Sequence, residues 1–276
     1  MRLDPAKPTA TKVNLSGLGA NPGLHRRAIK EPVMNPVLLI PARMASARLP
    51  GKPLADIAGA PMIVRVWERA MAAGLGPVVV AAAEAEIVAA VEKAGGRAVL
   101  TDPDLPSGSD RIWVALAAID PKGAYDVVVN LQGDLPALDP EQLKTVVACL
   151  AKSGADIATL AAPIDNDEDK KNPAVVKAVV AWDARERLGR ALYFTRSTAP
   201  SGEGALYHHV GLYAYRREAL ESFVALPPSP LEKRERLEQL RALEAGMSIA
   251  VARVDAAPLS VDTPADLEKA RMLLSA

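Results

Sequence analysis

The stretch VLLIPARMASARLPGKPL, residues 37–54, decides the fold and suggests the chemistry. Its first four residues, 37–40, are apolar and bounded by proline, which predicts a short buried strand. The loop after this strand carries Arg43, Arg48 and Lys52. In open parallel sheets, ligands bind beyond the carboxyl ends of the strands. Guanidinium and ammonium groups bind phosphate oxygens through charge-assisted hydrogen bonds, so this loop predicts a polyphosphate site.

Two other interpretations of the loop compete with that one. A Walker A loop requires Gly five residues before the Gly-Lys pair and Ser or Thr after it. Ser46 and Pro53 occupy those positions, which excludes the motif. A solvated charged loop that binds no ligand stays open as an alternative, because many charged surface loops are only that.

From residue 37 onward, patterns typical of strands alternate with patterns typical of helices. This order predicts an α/β fold with a mostly parallel central sheet and helices on both faces. Predicted strands cover 37–40, 78–82, 98–100, 127–131, 156–160, 175–181, 210–215 and 249–254. Predicted helices cover 62–73, 84–94, 110–119, 140–152, 230–245 and 264–274. The polar segment 165–172 is expected to be a surface loop.

Composition narrows the classes of function. The chain has 276 residues, half of them hydrophobic, with 33 Lys plus Arg against 33 Asp plus Glu. A net charge of zero provides no overall field for nucleic acid or an anionic membrane, so neither partner is expected. No apolar run reaches the roughly 18 residues that span a bilayer, and no hydrophobic signal segment is present. The only cysteine, Cys149, excludes an internal disulfide, and a cytoplasmic protein without a nucleophilic thiol is expected.

The first residues differ from the rest in composition. Residues 1–34 are rich in Pro, Gly, Ser and Asn, lack sustained periodicity and are basic. We expect a disordered extension, or an artefact if translation begins at Met34; an organelle-targeting segment is the alternative. Residues 35–276 are expected to form a single domain.

Two carboxylates are placed where a metal site would be expected. Asp134 follows an apolar strand in VNLQGDLP, and Asp262 lies between a strand and a helix in SVDTP. Mg²⁺ prefers carboxylate, water and phosphate oxygens, so the pair could share one ion with a bound triphosphate. For Asp262 alone, an ordinary turn or helix cap is the alternative.

Two further motifs carry candidate ligand-binding groups. In PSGSDR, the helix start at Asp110 and the side chain of Arg111 could bind an anion or a base edge, although a plain Ser-Gly turn is nearly as good an explanation. In ALYFTR and HHVGLYAY, Arg196 and a histidine could receive a carboxylate and hydroxyls. His208 and His209 lack ligand neighbours at metal spacing, and a structural histidine is the alternative.

The motifs IPARMASARLPGKPL, SGSDR, NLQGD, YFTR, HVGLYAY, PSPLEKRERLEQLRALEAG and VDTP, in this order, closely resemble the 3-deoxy-manno-octulosonate cytidylyltransferase family, the CMP-Kdo synthetases. The resemblance covers about residues 36–276. It implies a Rossmann-like nucleotidyltransferase fold with a smaller subregion for dimerisation and sugar binding, and a homodimer that uses Mg²⁺ and CTP. The implied reaction joins CMP to the anomeric hydroxyl of Kdo and releases pyrophosphate, for lipopolysaccharide biosynthesis.

The same resemblance implies roles for individual residues. Arg43, Lys52 and Asp134 would be catalytic, and Asp134 and Asp262 would bind Mg²⁺. Residues that would bind the nucleotide are Pro41, Ala42, Arg43, Lys52, Ser107, Gly108, Arg111 and Gln132. Residues that would bind the sugar acid are Gln132, Arg196, His209, Tyr213, Glu238 and Gln239.

Some positions depart from the family pattern. Leu135 replaces the acidic residue of QGDEP, Ser109 replaces the threonine of SGTDR, and Ser260 replaces the Gly before VDT. These changes leave open a close relative of Kdo, such as an 8-amino analogue, as the acceptor. A nucleotidyltransferase for another acceptor, such as sialic acid or a sugar phosphate, is a second possibility. A nucleotide-binding homologue without activity is a third possibility.

Overall fold

The computed structural model describes residues 34–46, 48–185 and 187–275. Its strands are β1 Pro36–Ala42, β2 Asp56–Ile57, β3 Ala60–Pro61, β4 Val78–Ala82, β5 Arg97–Leu100, β6 Val127–Leu131, β7 Ile157–Pro163, β8 Lys177–Trp182, β9 Leu188–Thr195, β10 Tyr207–Arg216 and β11 Ile249–Arg253. Its α-helices are α1 Met62–Ala72, α2 Ala85–Lys93, α3 Gly108–Ile119, α4 Pro140–Ser153, α5 Asp167–Lys171, α6 Arg217–Ala225, α7 Pro230–Glu235, α8 Gln239–Glu244 and α9 Pro264–Ser275. The predicted N-terminal extension lies outside the described residues, except for Met34.

Nine of these strands form one sheet in the order β5-β4-β1-β6-β10-β7-β11-β9-β8. Strands β1, β4, β5 and β6 are parallel neighbours, and β10 runs antiparallel to both β6 and β7. Because β9 is the only other reversed strand, seven of the nine point the same way. The predicted, mostly parallel sheet is confirmed.

Strand β1 shows why the sheet is covered on both faces. Leu38 and Ile40 pack into a core that includes side chains of α1, α2 and α4. Val37 and Leu39 point the other way, into a core with α3, α6 and α8. Successive side chains of a strand alternate between faces, so an uninterrupted apolar run must be buried on both.

A third, smaller core attaches the C-terminal helix next to the basic loop. Ile57 of β2 and Met62 of α1 pack with Val261 and with Leu267 of α9. This packing brings the residues just before α9 to the loop after β1, although about 200 residues separate them along the chain.

Two local predictions were wrong, and two elements were not predicted. The predicted helix at 230–245 is two short helices, because Arg236 adopts the left-handed conformation with φ 56° and ψ 48°. The polar segment at 165–172 contains the short helix α5, which has no buried residue. Strand β9 and helix α6 were not predicted, since neither has a long continuous apolar run.

Candidate active site

The basic loop is anchored to the sheet edge by its main chain. The N–H of Met44 donates to Oε2 of Glu84 at 2.9 Å, and the N–H of Gly51 donates to the carbonyl of Met44 at 3.3 Å. Gly51 has φ 71°, which glycine adopts without steric cost, and it starts the 3-10 helix Lys52–Leu54. This turn directs Lys52 back toward the carboxyl ends of β1 and β6.

Lys52 joins the two predicted metal ligands. Its Nζ lies 2.9 Å from Oδ2 of Asp134 and 3.1 Å from Oδ1 of Asp262. Asp262 also pairs with Nη2 of Arg48 at 3.0 Å. The main chains of the two acidic segments meet as well, since the N–H of Val261 donates to the carbonyl of Asp134 at 2.9 Å. Three segments distant in the sequence therefore converge on one ammonium group.

A pocket of about 440 Å³ opens beside this cluster. Its lining comprises Pro41, Ala42, Arg43, Ala45, Ser46, Arg48, Lys52, Pro53, Met62, Leu105, Ser107, Gly108, Arg111, Gln132, Gly133 and Asp134. All eight residues of the predicted nucleotide-binding set are among them. Arg43 is exposed and has no ion pair within the described ranges, so its guanidinium is available to an anionic ligand.

Two glycines let the walls of this pocket approach each other. A Cβ on Gly133 would lie 2.9 Å from the carbonyl oxygen of Pro41, closer than side chains tolerate. A Cβ on Gly108 would lie 3.2 Å from Cγ of Pro41. The loops after β1 and β6 and the start of α3 thus pack around one proline.

The predicted base-side residues Ser107 and Arg111 have structural partners. Ser107 caps α3, its Oγ accepting the N–H of Asp110 at 3.2 Å. Arg111 is buried and donates to Oγ1 of Thr101 at 2.6 Å and to the carbonyl of Asp102 at 2.9 Å. Burial lowers the pKa of Arg111. It therefore fixes the loop after β5, which carries the pocket residue Leu105, and direct contact of Arg111 with a base stays a prediction.

Of the predicted sugar-binding residues, only Gln132 lines the 440 Å³ pocket, as far as the chain is described. Its Nε2 donates to Oδ1 of Asn130 at 3.1 Å, and Asn130 pairs with Tyr213 across β6 and β10. The ring of Tyr213 lies 5.4 Å from that of His209. A second group of side chains therefore continues from Gln132 along β10.

His209 is a neutral, buried member of this second group. Its Nε2 lies 3.1 Å from Oγ1 of Thr159, and its ring lies 4.7 Å from that of Phe194. Burial, and to a lesser extent the neighbouring His208, lowers the pKa of His209 to about 3. It can exchange a hydrogen bond with a hydroxyl but carries no charge near neutral pH.

Glu238 comes next to the start of α3. Oγ of Ser109 donates to its Oε2 at 2.9 Å, while its Oε1 is buried without a hydrogen-bond partner among the described residues and lies 3.8 Å from Nη2 of Arg241. Burial raises the pKa of Glu238. A buried carboxylate oxygen without a donor is costly and suited to a substrate hydroxyl. The sequence does not predict the role of Ser109, because the contact joins residues 129 positions apart.

The remaining predicted sugar-binding residues have different surroundings. Gln239 is buried at the start of α8. Arg196 directs three donors to main-chain carbonyls, those of Pro173, Glu235 and Arg236. A guanidinium has five N–H groups, so direct contact of Arg196 with a substrate stays a prediction.

The donor set at Asp134 and Asp262 is compatible with Mg²⁺ held partly by substrate. Mg²⁺ commonly uses one or two carboxylates and completes its octahedral shell with water and phosphate oxygens. Within the described ranges, no group of three or more His, Cys, Asp or Glu side chains forms a site from protein alone. The two carboxylates are close enough to contact a common cation, as Lys52 shows.

Two exclusions concern other parts of the described chain. Cys149 is buried in α4, and burial raises the pKa of its thiol to about 12, which rules out a nucleophilic role near neutral pH. Among the residues that the structure describes, no helix combines the length and the apolar character that crossing a bilayer requires.

Comparison with known proteins identifies close relatives. A family model described as cytidylyltransferase matches residues 37–249. The 3-deoxy-manno-octulosonate cytidylyltransferase of Parvibaculum lavamentivorans is 66% identical over 252 residues, 91% of this chain and 97% of that protein. The protein of the same name from Paramagnetospirillum magneticum is 60% identical over 243 residues, 88% of this chain and 99% of that protein.

A solved structure extends the comparison to the fold. It is described as CMP:2-keto-3-deoxy-manno-octonic acid synthetase complexed with CTP. It superimposes with a TM-score of 0.79 at 40% identity and covers 87% of this chain and 98% of its own. The nucleotidyltransferase fold predicted from the resemblance is confirmed.

Proposed function

Because this chain belongs to the 3-deoxy-manno-octulosonate cytidylyltransferase family, we propose that the pocket beyond β1 and β6 is its active site. The enzyme transfers CMP from CTP to the anomeric hydroxyl of Kdo, giving CMP-Kdo and pyrophosphate. One observation carries the choice of site: Lys52 joins residues 82 and 210 positions away, Asp134 and Asp262, beside Arg43, which has no ion pair in the described part of the chain.

In the proposed mechanism, Arg43 and Lys52 hold the triphosphate of CTP. The sugar hydroxyl loses its proton to solvent and its oxygen forms a bond to the α-phosphorus, while the bond from that phosphorus to the bridging oxygen breaks and pyrophosphate leaves with the electron pair. Negative charge grows on the leaving pyrophosphate, and fixed cations close to it lower the barrier. The rest of the predicted nucleotide set shapes the pocket around the base and ribose.

Asp134 and Asp262 are the residues that would hold Mg²⁺. When bound, the ion would supply positive charge for the phosphate oxygens. Lys52 pairs with both carboxylates and Arg48 pairs with Asp262, and both cations line the pocket, from which they can turn to the phosphates. Isothermal titration of Mg²⁺ with and without CTP tests this assignment: binding that is equally strong in an Asp134→Asn, Asp262→Asn double variant would contradict it.

The sugar acid is proposed to lie against Gln132, His209, Tyr213, Glu238 and Gln239. Gln132 lines the nucleotide pocket, so the sugar hydroxyl can reach the α-phosphorus there. Oε1 of Glu238, which has no hydrogen-bond partner among the described residues, and the neutral ring of His209 are matched to hydroxyl groups.

An acceptor panel tests the assignment of function. Pyrophosphate release is measured with Mg²⁺ and CTP in the presence of Kdo, its 8-amino analogue or sialic acid, and with UTP replacing CTP. We expect the highest kcat/KM with CTP and Kdo. A higher value for another acceptor would reassign the substrate, and nucleotide binding without turnover would indicate an inactive homologue.

The product, the assembly and the location complete the proposal. CMP-Kdo is an activated sugar, and we propose that lipopolysaccharide assembly in the cytoplasm consumes it. Residues 35–276 would form one domain that acts as a homodimer, with residues 1–34 outside it. Light scattering coupled to size exclusion tests the dimer for the full chain and for a variant that starts at Met34; a monomer in both would contradict it.

A further inference from the structure

The main chain between α7 and α8 is broken at a residue that usually favours a helix. Helix α7 ends at Glu235, Arg236 turns into the left-handed conformation, and α8 begins at Gln239. A helix end leaves main-chain carbonyls without intrahelical partners, and a left-handed non-glycine residue adds strain. The N–H of Arg236 donates to the carbonyl of Glu232, which leaves the carbonyls of Glu235 and Arg236 for partners outside the helices.

Arg196, one residue beyond β9, contacts the break directly. Its Nε donates to the carbonyl of Glu235 at 2.8 Å, and its Nη2 donates to the carbonyl of Arg236 at 3.3 Å. Its Nη1 donates to the carbonyl of Pro173 at 3.0 Å. One guanidinium thus caps the carboxyl end of α7 and ties it to the segment after α5.

Glu235 returns the contact from the helix side. Its Oε2 accepts the N–H of Arg196 at 3.0 Å, and its Oε1 accepts Oγ1 of Thr195 at 2.8 Å. Burial acts to raise the pKa of Glu235, but the hydrogen bonds from Arg196, Thr195 and Tyr193 outweigh it and the pKa is lowered. The carboxylate is therefore ionised near neutral pH. Hydrogen bonds run in both directions between the two segments: Arg196 donates to carbonyls at the end of α7, and Glu235 of α7 accepts from residues 195 and 196.

These reciprocal hydrogen bonds between Arg196 and Glu235 fix the position of the residues that follow Arg236. Glu238 and Gln239 come two and three residues after Arg236, and Glu238 is then held by Ser109 of α3. We infer that Arg196 is a positioning residue, which sets Glu238 and Gln239 for the sugar acid by capping the break at Arg236. This inference rests on the proposed function, since it takes these two residues as ligands of the acceptor.

The variant Arg196→Gln tests the inference with two measurements. Hydrogen exchange of the ligand-free enzyme should become faster in residues 229–246 and stay unchanged in β1, β4 and β6. The KM for Kdo should rise about tenfold, the factor expected if the displaced Glu238 loses one charge-assisted hydrogen bond to the sugar, while the KM for CTP stays within about twofold. Arg196→Lys, which keeps the charge but not the planar fork, should fall between.

Two further variants make the outcome decisive. Glu235→Ala removes the carboxylate that accepts hydrogen bonds from Thr195 and Arg196, and Glu235 is outside the proposed ligand set. This variant should show the same faster exchange and the same rise in the KM for Kdo. Arg190→Gln removes an exposed arginine from the same strand and should change neither.

The possible results separate three roles of Arg196. A raised KM for Kdo with unchanged exchange would make Arg196 a direct ligand and overturn the inference. Faster exchange throughout the chain with both KM values raised would show a merely structural role and overturn it as well. The exchange measurement needs no substrate, so unchanged exchange in Arg196→Gln would overturn the inference even where the wild-type enzyme is inactive with Kdo, a result that would contradict the proposed function alone.

Discussion

Lys52 is the residue on which the candidate site depends. Its side chain is only 13% exposed and faces two carboxylates at once. Removing it would take a cation from the triphosphate and leave Asp134 and Asp262 to repel each other. The loss therefore affects both the ligand and the geometry that receives it.

We predict that Lys52→Met lowers kcat/KM for pyrophosphate release by about a hundredfold or more, the usual effect of deleting a group that stabilises transition-state charge. The exposed Lys122, which is not part of the pocket lining, provides a matched control as Lys122→Met. Equal activities of the two variants would remove Lys52 from the catalytic set.

His209 should make the folded state sensitive to acid. Its pKa is about 3 when folded and about 6.5 when unfolded, so the unfolded chain binds more protons between these values. Stability is complete above about pH 6.5 and is lost as pH falls, by at most about 1.4 kcal/mol per pH unit. Urea unfolding between pH 7 and 5 should show a shallower loss for His209→Gln. A slope identical to that of the wild type would contradict the assigned burial.

At the scale of elements, the sequence predicts those helices and strands whose apolar pattern runs without interruption. Strands β1, β4 and β6 are recognisable because burial on both faces demands uninterrupted apolar runs. The break in 230–245 is not recognisable, because leucines at helical spacing continue through it. Arg196, which caps the break, lies 40 residues away from Arg236, and such a tertiary contact leaves no local signature.

The same limit applies to the candidate site. Motifs identify the loops that carry Lys52, Asp134 and Asp262, and the sheet edge explains why they meet. Other contacts depend on how α3, α7 and β9 pack. They are the hydrogen bond between Ser109 and Glu238 and the reciprocal hydrogen bonds between Arg196 and Glu235. Packing of this kind follows from the assembled core rather than from any single stretch of residues.

Helices α7 and α8 are held together by a largely buried ion pair between Arg241 and Glu232. Arg241 donates from Nε and Nη2 to the two oxygens of Glu232 at 2.8 and 2.6 Å, and its guanidinium lies 5.1 Å from the centre of the Phe223 ring. We predict that Glu232→Gln destabilises the protein by about 3 kcal/mol, because Arg241 loses its counter-charge in a mostly buried position. Urea denaturation measures this, with the exposed Glu221→Gln as control; a difference below about 0.5 kcal/mol would contradict the prediction.

At the scale of the whole molecule, the candidate site joins distant parts of the chain. The loop after β6 packs in the first core through Leu135 and Leu138, the segment before α9 packs in the third core through Val261, and the loop after β1 contacts both cores. Any change that shifts one of them moves a charged group relative to the other two.

Gly133 offers a direct test of this close fit. A Cβ there would meet the carbonyl oxygen of Pro41 at 2.9 Å, so Gly133→Ala must separate the end of β1 from the loop after β6. We predict a cost of about 1–3 kcal/mol in unfolding free energy and a rise in the KM for CTP. Gly211→Ala is the control for stability, since its Cβ would meet only Cγ of Gln132 at 4.0 Å. Unfolding free energies equal for the two variants would show that the loops can yield.

The buried thiol of Cys149 in α4 allows the rate of local opening to be measured. The thiol is the only one in the chain, it is 1% exposed, and it packs in the core beneath the sheet. A thiol-reactive dye can therefore modify the native protein only when this side of the fold opens, and its labelling rate reports how often that happens. A cysteine introduced on the surface would react far sooner, so fluorescent probes can be attached at chosen positions of the otherwise unaltered enzyme.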